Sequence, residues 1–250
     1  MVADGRPSLG GAPGALAAGA AAPRAPLAPP ADAVVAFLRS LGTGDVVHTG
    51  GEAFSDHLVG VYDVTCWWDA PLPARLAGLI HSVYGTEGFT GFSLDATPEN
   101  RARIADLAGA EAERMAFIFC GLDRASQDAG LAAGDQTTAC WKPRAGAPGG
   151  AAAWQEALDS APPSFFRDFT LLTLGDWMQQ CETAAELASD HFGWGVGQAW
   201  GYRRTAYAQM AALLGGPAAA MHAAVMAREP DGQRDYEWVG WPEGRAPAGV

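Results

Sequence analysis

Two histidines, His57 in "DHLVG" and His81 in "AGLIHSVYGTEGF", interrupt apolar runs with a side chain that can bind metal ions or move protons. Each run reads as a buried helix, and the tight break "DAPLP" joins them. Taken as an antiparallel pair, the helices set His57 eleven residues before Trp68 and His81 nine residues after Leu72. At about 1.5 Å per residue these are heights of about 16 Å and about 13 Å, so the two imidazoles stand nearly level. Gly60, Ala77 and Gly78 are small neighbours expected to leave room for an ion or a substrate. Asp123, near the end of a third core helix, is the carboxylate that would complete the set. Two histidines and one carboxylate from separate helices suit a divalent metal (Mn, Mg, Zn or Fe) that activates water or holds an oxygen ligand. Spacing alone leaves another reading open, in which backbone carbonyls satisfy the histidines and Asp123 pairs with Arg124 at a helix end.

The elements that must hold these groups are helical. "ADAVVAFLRSL" is a short amphipathic stretch ended by Gly42 and Gly44. Between Gly51 and Trp68, the residues Phe54, Leu58, Val61, Thr65 and Trp68 recur at helical spacing. "LPARLAGLIHSVYG" is expected to run as a helix to Gly85. "TPENRARIADLAG" opens with a Thr cap followed by Pro and Glu in the first turn. "AEAERMAFIFCGLDR" is apolar enough for a central helix. "PPSFFRDFTLLTLGDWMQQCETAAEL" and "GVGQAWGYRRTAYAQMAALLG" read as two long helices, and "PAAAMHAAVMARE" as a shorter one. No alternating strand pattern and no repeat occurs, so the expected class is all-α.

We therefore expect a disordered Ala/Gly/Pro-rich segment over residues 1–30 and a single all-α domain over 31–228. That domain would carry a flexible insertion at about 142–153, and an irregular tail would follow over 229–250. Arg6, Arg24 and the scarcity of acids in the first segment leave an organellar transit peptide as an alternative, against which Asp4 and the near absence of Ser count. With 28 acidic and 16 basic residues the net charge is −12, which disfavours nucleic acid or an anionic membrane as partner. No apolar run is long enough to span a bilayer. The four cysteines are far apart and form no CxxC pair, which fits a reducing, cytoplasmic setting.

Three further residues join the candidate site. His48 precedes the first site helix and is followed by Gly50 and Gly51, where backbone could approach a ligand. Glu87 could act from its loop as a ligand or general base, or be a solvated acid. Tyr84 could donate a hydrogen bond to a ligand oxygen or simply pack. Apart from these, Asp176 and Gln180 fall four apart on one helix face, a polar patch to which the sequence assigns no role. His191 and His222 lack matched partners and read as having no role; Trp177, Trp194 and Trp200 read as core.

The stretch "DHLVGVYDVTCWWDAPLPARLAGLIHSVYGTEGF" resembles the core of the HD superfamily of metal-dependent phosphohydrolases. The same run, with "FC" and "DR" further on, is similar to an uncharacterised HD-like family of unknown function over about residues 46–124. The resemblance implies an HD-domain-like helical bundle, with His57 and His81 as the two metal histidines and Asp123 as the final carboxylate. Ser82 stands where the superfamily carries the Asp of its HD doublet, which disfavours a two-metal site. Gly85 and Thr86 occupy the positions where guanosine tetraphosphate hydrolases carry a Glu-Asp pair, so that activity is disfavoured. The expected function is hydrolysis of a small phosphorylated compound at a degenerate metal site. A non-haem iron oxygenase and a non-catalytic ligand-binding or scaffold protein are the alternatives.

Overall fold

The structure, a computed structural model, describes residues 30–48, 51–89, 91–187 and 195–231. The N-terminal segment up to residue 29, the tail from 232, and Thr49, Gly50, His191 and Trp194 lie outside the described residues.

The described chain is an all-α bundle. Its helices are α1 (Ala31–Ser40), α2 (Phe54–Trp67), α3 (Leu72–Ile80), α4 (Pro98–Ala108), α5 (Ala110–Gly121), α6 (Arg124–Ala132), α7 (Gly150–Asp159), α8 (Phe165–Glu186), α9 (Arg204–Leu214) and α10 (Gly216–Met226). A 3-10 helix, Gln198–Gly201, precedes α9. None of the described helices is long and apolar enough to cross a membrane.

Helix α3 is the centre of the arrangement. Leu76 to Ile80 are all buried, and a helix that is apolar all round must be enclosed on every side. Helices α2, α5 and α8 enclose it, while α1 and α4 cover its remaining flank. Pro71 and Pro73 fix its start. The α2–α3 turn is held by Asp69, which adopts a left-handed backbone (φ 54) and accepts a hydrogen bond from Arg75 at 2.7 Å. Arg75 also donates to the Ala70 carbonyl, which ties the new helix back to the turn.

The two helices approach closely because Gly78 faces the α2 backbone. A Cβ at Gly78 would lie 3.1 Å from Tyr62 N and 3.2 Å from its Cα. Gly60 serves a similar end: a Cβ there would come within 2.7 Å of the Gln179 side chain on α8. These glycines let helices and side chains close on one another. They do not hold space open for a ligand, as the sequence alone led us to expect.

Several boundaries differ from the sequence reading. Helix α3 stops at Ile80, so His81 is its C-cap and residues 81–84 form turns before Gly85 (φ 75). The stretch from Gly195 to Gly215 is not one helix: Arg203 sits at φ 46, and its guanidinium bonds Asp128 and Gln127 on α6, which holds the break. Arg144 donates to the Cys120 carbonyl at 2.8 Å, α7 begins at Gly150, and Trp154 is fully buried against α5.

Candidate metal centre

Three helices and one turn bring the key side chains together. His57 lies in the first turn of α2, His81 caps α3, and Asp176 sits midway along α8; all three are buried. His57 Nε2 is 3.2 Å from His81 Nε2. Asp176 Oδ1 is 3.2 Å from the first nitrogen and 3.3 Å from the second. His57, His81 and Asp176 form a group that could hold a metal ion.

The hydrogen bonds around this triangle fix the chemistry of its corners. His81 Nδ1 lies 2.9 Å from the Gly78 carbonyl, which can only accept, so Nδ1 carries the hydrogen. His57 Nδ1 lies 2.5 Å from Gln179 Oε1, and the Gln179 amide nitrogen in turn donates to the Glu52 carboxylate at 3.1 Å. With both Nδ1 atoms engaged as donors, both Nε2 atoms of neutral rings present lone pairs to each other and to a carboxylate oxygen. Burying three converging acceptors is unfavourable unless a cation, a metal ion or a proton, lies among them.

Asp176 shows the same pull. Burial opposes its ionisation, but with a proton in the triangle the positive charge on His81 and the hydrogen bonds then donated by His57 and His81 outweigh that and hold its carboxyl well below the usual carboxylate range. Gln180, one turn along, donates to Asp176 Oδ1 at 3.4 Å. Its own Oε1 is buried with no hydrogen-bond partner in the described chain. For Glu52, burial raises the pKa against the opposing effects of His57 and the Gln179 amide.

A second grouping, His48 with Glu52 and His57, also brings ligand-type atoms together. It is the weaker candidate, because Gln179 already engages His57 Nδ1 and holds the Glu52 carboxylate.

A cavity of about 30 Å³ adjoins Asp176, and Gln180, Ser82, His48, Arg124 and Tyr202 contribute to its lining. That volume admits a water or one small ligand group. Arg124 donates to the Tyr202 hydroxyl at 2.6 Å, and among the described residues it forms no ion pair with a carboxylate.

The structure brings only some of the sequence candidates together. His57 and His81 meet, as their spacing along the two helices implied. His48 stacks face to face on His57, with ring centroids 4.0 Å apart and planes 8° from parallel, and it lines the cavity. Glu87 accepts a hydrogen bond from the Arg124 backbone at 3.3 Å, beside the cavity. Asp123 lies outside the triangle. Helix α5 ends two residues earlier, and Asp123 caps α6 by accepting from Ala125 N at 3.0 Å. Tyr84 is also elsewhere: its hydroxyl donates to Glu113 at 3.0 Å, and Arg101 holds the same carboxylate. Trp177 and Trp200 are core residues, and His222 is half-buried on α10.

Sequence reasoning did not assign Asp176, Gln179 or Glu52 to the centre. The available signal was "DWMQQ", which follows the apolar run "TLLTLG" and sets Asp176, Gln179 and Gln180 on one helix face.

Neither the curated proteins nor the solved structures contain a match to this chain. Residues 37–124, from α1 to the start of α6 and including both centre histidines, match a family model described as a domain of unknown function (DUF6817).

Proposed function

We propose that this protein is a metal-dependent hydrolase of a small phosphorylated compound, with one divalent ion held by His57, His81 and Asp176. The observation that carries this reading is the convergence of three buried acceptor atoms whose rings have their other nitrogens engaged. A tetrahedral ion about 2.0–2.1 Å from each donor spaces its ligands about 3.3 Å apart, close to the edges of this triangle. Such an ion supplies a Lewis acid that polarises an oxygen and lowers the pKa of a bound water.

The chain's own groups divide the remaining work. Arg124, whose described hydrogen-bond partner is a neutral hydroxyl, would hold the anionic group of the substrate. Gln180 Oε1 would accept a hydrogen from a water or substrate hydroxyl, and Ser82 would line the entrance. His48, at the cavity wall, would move the proton, with Glu87 as the second candidate for that role. The HD resemblance supports the two histidines. Ser82 at the doublet position supports one ion rather than two. We place the described helices in a single domain acting on a small molecule in the cytoplasm, where four free cysteines are at home.

The test is phosphate release from a panel of phosphomonoesters and nucleotides by the Mn-, Mg- and Zn-loaded protein. Turnover is expected in the wild type. Arg124→Gln is expected to raise KM by about tenfold or more with metal content unchanged, since a charged hydrogen bond contributes about 1.5–3 kcal/mol. No release with any loaded metal overturns the reading. A second reading, a non-haem iron oxygenase, is favoured by the ligand set itself, since two histidines and one carboxylate are the iron-binding triad of such enzymes. It predicts iron retention and oxygen consumption without phosphate release.

A further inference from the structure

A histidine that binds a metal through one ring nitrogen needs the other nitrogen held by an acceptor, which fixes the tautomer and the ring plane. His81 obtains this locally from the Gly78 carbonyl. His57 depends on another helix. Its Nδ1 faces Gln179 Oε1, and an unrestrained amide could equally present its NH2 group there. Glu52 removes that choice, because its oxygens lie 3.1 and 3.4 Å from Gln179 Nε2 and an ionised carboxylate only accepts. Gly60 provides the space, since any side chain there would collide with Gln179.

We infer that Gln179 and Glu52 are a positioning pair that sets the tautomer of His57 and thereby its affinity for a divalent cation. This rests on the reading of His57, His81 and Asp176 as a metal centre. The pair reaches the ion only through His57, so its loss weakens binding without removing a ligand. It also explains why a carboxylate stands at the edge of the buried centre without joining the triangle, 3.9 Å from the far nitrogen of His57.

The experiment is titration of the metal-free protein with Co²⁺, read by its visible absorption and by Kd, with thermal unfolding of the metal-free forms alongside. Gln179→Leu keeps the side-chain bulk and loses the acceptor. It is expected to raise Kd by about 10–100-fold, the usual effect of losing an outer hydrogen bond to a ligand, and to shift the absorption bands. Glu52→Ala, at a partly exposed position, releases the amide without disturbing the core and is expected to weaken binding in the same direction. The exchanged pair, Gln179→Glu with Glu52→Gln, keeps both hydrogen bonds and is expected to bind at wild-type affinity or better. Wild-type Kd and spectrum in both Gln179→Leu and Glu52→Ala overturn the inference and leave the centre standing. Failure of the wild type to bind Co²⁺ overturns the centre, and the inference with it. If Gln179→Leu does not fold, Glu52→Ala and the exchanged pair decide alone.

Discussion

His57 Nε2 and His81 Nε2 face each other at 3.2 Å across the α2–α3 pair, and each ring has its Nδ1 hydrogen-bonded to an acceptor. Two neutral imidazoles in that state repel through their lone pairs, and Asp176 adds a third acceptor. The helical hairpin therefore holds an arrangement that is costly by itself and favourable around a cation.

Gly78 governs the distance between the two histidine helices. Gly78→Ala would set a methyl 3.1–3.3 Å from backbone atoms of Val61 and Tyr62. Alanine gains up to about 1 kcal/mol in helix propensity. The strain of overpacking against backbone costs about 1–3 kcal/mol and is expected to win, because a helix backbone yields less readily than a side chain. We predict a lower Tm, by about 2–4 °C per kcal/mol lost, and weaker metal binding as the imidazoles separate. Calorimetry and metal titration of the variant check both; an unchanged Tm and Kd would show that α2 shifts freely.

Tyr84 separates packing from chemistry. Its hydroxyl serves Glu113, which Arg101 also binds. Tyr84→Phe is predicted to lower stability by about 0.5–1.5 kcal/mol, the usual worth of a hydrogen bond, and to leave metal content at the wild-type value. Urea unfolding and metal analysis measure the two effects, and loss of metal would return Tyr84 to the site.

Cys120 lies directly behind the centre and donates its thiol hydrogen to the His81 carbonyl at 3.0 Å. Burial pushes the Cys120 thiol up to about 12, so at pH 8 almost none of it is thiolate. Its alkylation by iodoacetamide is predicted to await unfolding, while half-buried Cys66 reacts in the native protein. Peptide mapping of the alkylated chain follows both sites; rapid native labelling of Cys120 would contradict the packing around His81.

The part of the site legible in the sequence was the part carried by one hairpin. Regular helical rise converts spacing into height, so His57 and His81 could be levelled against each other without knowing the rest of the fold. The carboxylate could not be found that way. Asp123 and Asp176 are both plausible from type alone, and choosing between them depends on where α5 ends and how α8 crosses α3. Helix α5 stops at Gly121, and a side chain there would strike Trp154. The chain then turns and uses Asp123 to cap α6. The all-α class was legible from periodicity, whereas the break at Arg203 was not: a left-handed arginine carries no Gly or Pro signal and depends on Asp128 across the fold.

The central claim is that His57, His81 and Asp176 hold one divalent ion. The most direct measurement is metal stoichiometry, by elemental analysis of protein purified without chelator under low oxygen and again after reconstitution. The wild type, Asp176→Asn and Asp123→Asn are compared. The account predicts about one equivalent in the wild type and in Asp123→Asn, and loss of most of it in Asp176→Asn, because an amide is a poorer ligand than a carboxylate. A wild type that takes up no metal, or an Asp176→Asn variant that retains a full equivalent, would contradict it.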